Sequence, residues 1–133
     1  MRIISGNLKG KKINQPIDKN TRPLRDLVKE SIFNLLEHSN KINIKIKNSN
    51  ILDLFSGSGS FGLECISRGA SKVVFVENYS NASKVLNKNI LNLKVNDKSE
   101  IVEKDCFKYL MNKKKNFEKF EIIFIDPPYK EKK

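Results

Sequence analysis

Apolar residues recur along this chain in two rhythms, and the changes from one to the other predict its elements. Unbroken apolar runs at Ile51-Leu52 with Leu54-Phe55, at Val73 to Val76, at Ile101-Val102 and at Ile122 to Ile125 suit strands covered on both faces. Strands are therefore expected over 51–55, 72–77, 100–104 and 121–125. Between them the spacing lengthens to three and four. Leu24, Leu27, Val28, Ile32, Leu35 and Leu36 predict an amphipathic helix that starts at Pro23, a residue suited to a first helical turn. Arg22, Arg25 and Lys29 fall on its other side, as an RNA-facing stripe or simply a solvated face. Phe61, Leu63, Cys65 and Ile66 predict a helix over 60–67 that stops at Arg68-Gly69. Ser80 can cap a further helix to about Leu93, with Ala82, Val85, Leu86, Ile90 and Leu93 inward. Phe107, Leu110 and Met111 suggest a short one. Strand and helix thus alternate, which predicts an α/β fold with parallel strands and right-handed crossovers.

Ahead of this core, Arg2 to Ser5 and Lys11 to Ile13 are β-prone pieces separated by Gly6-Asn7 and Gly10. A small basic hairpin-like arm is expected. Residues 1–40 then form an arm and helix, and 41–133 the core, joined through a linker in which Ile42, Ile44 and Ile46 alternate with polar residues.

The first core strand runs into Ser56-Gly57-Ser58-Gly59-Ser60-Phe61-Gly62, the spacing G-x-G-x-x-G. One glycine permits a tight turn, one lets a ligand approach backbone N–H groups, and one lets helix and strand pack closely. Alone, the spacing fits a nucleotide-type ligand or a structural turn. Glu77 ends the second strand twenty residues beyond Gly57, where a carboxylate can accept hydrogen bonds from ribose hydroxyls. Asp53, Glu77, Asp105 and Asp126 all fall at the carboxyl ends of predicted strands, where ligands bind in such sheets. The fourth strand closes on Asp126-Pro127-Pro128-Tyr129, which a dehydrogenase reading leaves unexplained.

Charge adds a partner class. The net charge is +11, and basic surfaces bind polyanions by releasing counterions from phosphates. Residues 1–50 hold eleven basic and four acidic side chains, net +7, against fifteen and eleven, net +4, over 51–133. A nucleic-acid surface is therefore expected chiefly in the first fifty residues. Cys65 and Cys106 stand alone, without ligand or disulfide spacing, and His38 follows the apolar helix face as an exposed helix end. No metal site is indicated. No apolar run approaches a membrane span, and the start lacks the apolar stretch of a signal peptide. A cytoplasmic location is expected.

Asp53-Leu54-Phe55-Ser56-Gly57-Ser58-Gly59, Glu77, Asp105 and the D-P-P-Y ending together resemble the class I S-adenosylmethionine-dependent methyltransferases, and D-P-P-Y resembles the subset that methylates exocyclic amino groups of bases. MRIISGNLKGKKI, TRPLRDLVKESIFNLL and GLECISRGA resemble more narrowly the bacterial RsmD family, which forms N2-methylguanosine in 16S ribosomal RNA. The resemblance covers essentially the whole chain. It implies a Rossmann-like sheet whose parallel strands one to four are present here. It places the methionine part of S-adenosylmethionine against Asp53 and the Gly57–Gly59 backbone, with Phe55, Ser58 and Cys106 in the cofactor set. Glu77 would hold the ribose hydroxyls and Asp105 the adenine amino group. Asp126, Pro127, Pro128 and Tyr129 would form the catalytic group around the target base. Arg2, Lys9, Lys11, Arg22 and Arg25 would meet RNA.

The implied partner is 16S ribosomal RNA, free or within the assembling small subunit, and the implied state a monomer. The family pattern continues past D-P-P-Y through further strands, whereas this sequence stops at Lys133, so a truncated version of a longer protein is expected, with strand four as an open edge. Methylation of amino groups in DNA or other RNA, and a non-catalytic RNA-binding remnant, are the alternatives.

Overall fold

The structure, a computed structural model, describes residues 1–16, 26–41, 45–112 and 119–127. Helix α1 is Asp26–His38, strand β1 Asn50–Asp53, helix α2 Ser60–Ser67, strand β2 Lys72–Val76 and helix α3 Ser80–Leu93. A single 3-10 turn, Asn96–Lys98, precedes strand β3, Ser99–Val102; helix α4, Cys106–Asn112, and strand β4, Ile122–Phe124, follow. The strands form one sheet in the order β3-β2-β1-β4, every pairing parallel. Because side chains alternate across a strand, the apolar runs feed two cores. Ile51, Val73 and Phe75 pack with Leu63, Leu86 and Ile90 on one face, while Leu52, Val74 and Val76 meet Cys106 and Tyr109 on the other. All four carboxyl ends lie at one edge of the sheet, as expected of an α/β fold of parallel strands. No helix among the described residues is long and apolar enough to cross a membrane.

The arm forms as a hairpin. Arg2 and Lys12 make an antiparallel bridge, the Ile3 N–H donates to the Lys11 carbonyl at 2.9 Å, and the Ile13 N–H donates to Met1 at 2.8 Å. Its apolar side, Ile3 and Ile13, is buried in the same core as Phe33 of α1 and Leu63 of α2.

Helix α1 packs Ile32 and Leu36 of its predicted apolar face against the core but is rotated away from the rest of that face. Leu27, Val28 and Leu35 are exposed at 75, 46 and 59%, whereas Phe33 and Lys29 are fully buried. The cause is a buried carboxylate. Glu64 of α2 accepts the Ile4 N–H at 2.9 Å and the Ser5 N–H at 3.0 Å. It also pairs with Lys29 Nζ at 3.1 Å and Arg68 Nε at 2.8 Å. Lys29 further donates to Ser60 Oγ at 3.1 Å. Arg68 also pairs with Glu37 and lies 4.4 Å over the Phe33 ring. A buried charge without partners is far costlier than an exposed leucine, so Lys29 dictates the rotation of the helix. Burial lowers the Lys29 pKa against the opposing pull of Glu64.

Removing Lys29 would leave the buried Glu64 carboxylate one cation short, with Arg68 and two backbone N–H groups still on it. Lys29→Ala is expected to cost about 3–5 kcal/mol, with Lys29→Met no better, and urea unfolding of both variants measures it.

Two further local differences have plain causes. Ser80 is the first residue of α3 rather than its cap; the N-cap is Tyr79, which makes no side-chain capping bond, and Glu77 accepts the Tyr79 N–H at 3.1 Å. Val85 is half-buried, while Asn89 joins Leu86 and Leu93 on the inner face.

Candidate functional site

The loop after β1 is held between its two neighbouring strands. The Leu54 N–H donates to the Phe124 carbonyl at 3.1 Å, the Ser56 N–H to Val76 at 3.1 Å, and the Gly59 N–H back to Ser56 at 2.8 Å. Gly57 and Gly59 take φ of 57° and 92°, the left-handed region in which side chains are strained. Gly62 answers a different demand. A Cβ there would come within 2.3 Å of the Phe75 ring, so α2 can lie on β2 only because the atom is missing. The three glycines therefore divide into two that turn the chain and one that seats the helix. Phe55 is half-buried on this loop and Ser58 buried.

Glu77 reaches back from the end of β2 to this loop. One carboxylate oxygen accepts the Gly57 N–H at 2.7 Å and the other the Tyr79 N–H at 3.1 Å, which leaves lone pairs on both for a ligand. Asp105, at the end of β3, accepts the Phe107 and Lys108 N–H groups through Oδ2 at 3.0 and 3.3 Å. It caps α4. The Cys106 thiol is buried beside it, and burial raises its pKa.

Asp53 differs from the other acids. It is buried, and neither carboxylate oxygen has a hydrogen-bond partner among the described residues. Desolvation pushes its pKa up to about 8, with Glu77 and Asp126 adding to the rise. The Gly62 N–H and Ser56 offset a part of it, yet the Ser56 hydroxyl makes its own hydrogen bond with the Asp53 carbonyl, at 2.9 Å. A buried carboxylate without a hydrogen-bond partner is expensive.

Asp53, Gly57, Ser58, Gly59 and Glu77 are thus brought together, with Asp126 close enough to act on Asp53 electrostatically. Asp126 and Pro127 follow the end of β4. Pro128 and Tyr129, and Arg22 and Arg25, lie outside the described residues. Arg2, Lys9 and Lys11 are exposed on the arm, where Arg2 Nη1 donates to the Gly10 carbonyl at 2.9 Å. Among the described residues no three His, Cys, Asp or Glu side chains gather as a metal site.

Asn89 and Gln15 escaped the reading of the sequence. Asn89 Nδ2 donates to the Ser58 carbonyl at 2.9 Å, and Ser58 Oγ donates to Gln15 Oε1 at 3.1 Å. Asn89 left one signal: it sits three residues after Leu86 and four before Leu93, an inner-face position held by a polar residue. Gln15 left none.

The family model described as "Conserved hypothetical protein 95" matches residues 1–133. YlbH of Bacillus subtilis is 37% identical over 133 residues, all of this chain and 69% of that protein. The ribosomal RNA small subunit methyltransferase D of Buchnera aphidicola subsp. Acyrthosiphon pisum is 40% identical over 127 residues, 96% of this chain and 62% of the relative. The solved structure of yhhF from Escherichia coli superposes with a TM-score of 0.79 at 32% identity, over 97% of this chain and 64% of that one. The chain therefore spans about two thirds of the length of these relatives. With the family model matched from end to end and the curated relatives matched over nearly all of its residues, the chain belongs to the RsmD family, on a class I methyltransferase fold.

Proposed function

We propose that the chain binds S-adenosylmethionine and transfers its methyl group to the exocyclic N2 of a guanine in 16S ribosomal RNA. The observation that carries this reading is Asp53, a buried carboxylate at the mouth of a glycine loop whose oxygens have no hydrogen-bond partner among the described residues. An α-ammonium group is the partner such a carboxylate lacks, and the loop beside it provides backbone for the rest of an amino-acid moiety.

Asp53 would hold that ammonium group, and the Gly57–Gly59 backbone, with Phe55 and Ser58, would surround the methionine portion. Glu77 would accept the ribose hydroxyls. Asp105, with Oδ2 engaged in the helix cap, keeps Oδ1 for the adenine amino group, beside Cys106. S-adenosylmethionine supplies a methyl on a positively charged sulfur, which makes that carbon electrophilic.

The remaining work belongs to the base site. Guanine N2 is a poor nucleophile because its lone pair is delocalised into the ring. Asp126 and the Pro127 carbonyl would accept its two N–H hydrogens and so localise the pair toward the methyl carbon. As the N2–methyl bond forms, the methyl–sulfur bond would break to leave a neutral thioether, and N2 must lose a proton, which Asp126 would accept. Pro128 and Tyr129 complete this group, Tyr129 by stacking on the base and the prolines by stiffening the turn. Positioning of this kind can supply up to about 7–11 kcal/mol of a barrier. Residues 1–40 would face the RNA and 41–133 the cofactor, the protein acting as a monomer in the cytoplasm on free RNA or on the assembling subunit.

Incubation with methyl-labelled S-adenosylmethionine and 16S RNA, followed by digestion to nucleosides, tests the reading directly. Label in N2-methylguanosine is expected, and label only in adenine or only in DNA sinks it. Glu77→Ala should weaken cofactor binding about 10- to 150-fold, since hydrogen bonds to a charged group are worth about 1.5–3 kcal/mol; calorimetry beside a melting curve separates this from unfolding. Replacing Arg2, Lys9 and Lys11 with alanine should reduce the slope of log K against log salt for RNA by about 0.7 for each phosphate that is no longer neutralised. A melting curve of that variant separates lost phosphate contacts from a displaced arm, since Arg2 also holds the Gly10 carbonyl.

A further inference from the structure

We infer that Asn89, acting with Gln15, is a positioning residue that sets the direction of the Ser58 peptide and so makes cofactor affinity depend on the seating of the N-terminal arm. The inference rests on the S-adenosylmethionine reading above. Asn89 is buried on α3, and its side-chain amide is satisfied three ways. Oδ1 accepts the Asn14 N–H at 2.9 Å. Nδ2 donates to the Asn14 carbonyl at 3.1 Å and to the Ser58 carbonyl at 2.9 Å. Toward the arm, the amide behaves as the backbone of a neighbouring strand would, pairing with both polar groups of one residue. Toward the glycine loop, its remaining hydrogen holds one carbonyl.

That carbonyl matters because of its neighbours. Gly57 and Gly59, on either side of Ser58, are both at positive φ and have no side chain to resist rotation of the intervening peptides. The direction of those peptides must come from hydrogen bonds. The Ser58 carbonyl is held by Asn89, the Gly59 N–H by Ser56 at 2.8 Å, and the Ser58 hydroxyl by Gln15 at 3.1 Å. Two of these three restraints trace to consecutive arm residues, Asn14 through Asn89 and Gln15 directly. An amide at an inner-face position also costs desolvation that a leucine would not. Displacing the arm would therefore release the loop that forms the proposed methionine cradle. By linkage, a ligand that fixes the arm must tighten cofactor binding by the factor by which cofactor tightens its own.

Titration calorimetry with S-adenosylmethionine and thermal unfolding, on wild type, Asn89→Leu, Gln15→Ala, Ser58→Ala and the Gln15→Ala/Ser58→Ala pair, test this. Asn89→Leu, which fills the same space without the amide, is expected to fold and to bind about tenfold more weakly, within the usual range of coupling between sites. Gln15→Ala and Ser58→Ala should each weaken binding, and the pair should be no weaker than the worse single variant, because both remove one hydrogen bond. Wild-type affinity in folded Asn89→Leu and in Gln15→Ala, whatever their melting temperatures, overturns the inference and leaves the functional reading standing. Fully additive losses overturn it too, since Gln15 and Ser58 would then act separately. Should Asn89→Leu not fold, Gln15→Ala, a half-buried side chain, decides alone. Wild-type protein that binds no S-adenosylmethionine overturns the functional reading and this inference together.

Discussion

Asp53→Asn is expected to make the cofactor-free protein more stable at pH 8 and, in the same molecule, to weaken S-adenosylmethionine binding by about 10- to 150-fold, the worth of one hydrogen bond to a charged group. Both effects follow from a carboxylate that is buried with no hydrogen-bond partner among the described residues and whose pKa is pushed up to about 8. In the unfolded chain the same group releases its proton near pH 4. Between those values the folded state holds a proton that the unfolded state has lost, so stability falls as pH rises. Below about pH 4 both states are protonated and the group has no effect; above pH 8 the loss is complete. Each pH unit in that window costs about 1.4 kcal/mol at most, and asparagine escapes it. The advantage of Asp53→Asn in urea unfolding should therefore vanish toward pH 4 and grow toward pH 8. Binding runs the other way. An ammonium partner needs the ionised carboxylate, so wild-type affinity should rise up to about tenfold per pH unit toward pH 8, and the asparagine variant should be flat. Equal slopes in the two proteins would mean that Asp53 does not meet the ligand's charge.

What could be read along the chain was what depends on neighbours in sequence. The strands were legible because residues such as Val73 to Val76 are apolar without interruption, and in a sheet covered on both faces no alternation is required. The seating role of one loop glycine was legible in kind, since G-x-G-x-x-G calls for one close helix approach, met by Gly62 over Phe75. Glu77 was legible as a position, twenty residues from Gly57, and its hydrogen bond with the Gly57 N–H spans that interval.

The misjudged rotation of α1 shows the limit. Leu27 and Leu35 outvoted Lys29 in any local count, because the partner that draws Lys29 inward, Glu64, lies 35 positions away and is itself an ordinary glutamate in an apolar helix. Long-range pairing of buried charges leaves no periodic trace. The same holds for the Asn89 amide, whose partners come from residues 14 and 58. Asp53 stood at the right strand end, but that its carboxylate would be left without a hydrogen-bond partner among the described residues could not be known before the fold was.

Asp126→Ala is expected to lower the rate of methyl transfer by about 100- to 10,000-fold, the range that a positioned proton acceptor contributes, while cofactor binding survives. The reason is its place after β4, outside the glycine loop and Glu77 but near enough to act on Asp53. That proximity supplies a second readout independent of turnover. Asp126 is one of the charges that raise the Asp53 pKa, so removing it should let Asp53 ionise at lower pH. The pH profile of S-adenosylmethionine affinity should then shift toward acid in Asp126→Ala, and affinity at pH 7 should improve rather than fall. Asp126→Asn separates charge from shape: it should share the shifted profile and, lacking a carboxylate to take the N2 proton, should remain slow. A binding profile identical to wild type would show that the two carboxylates do not sense one another. Wild-type turnover in either variant would remove Asp126 from the chemistry.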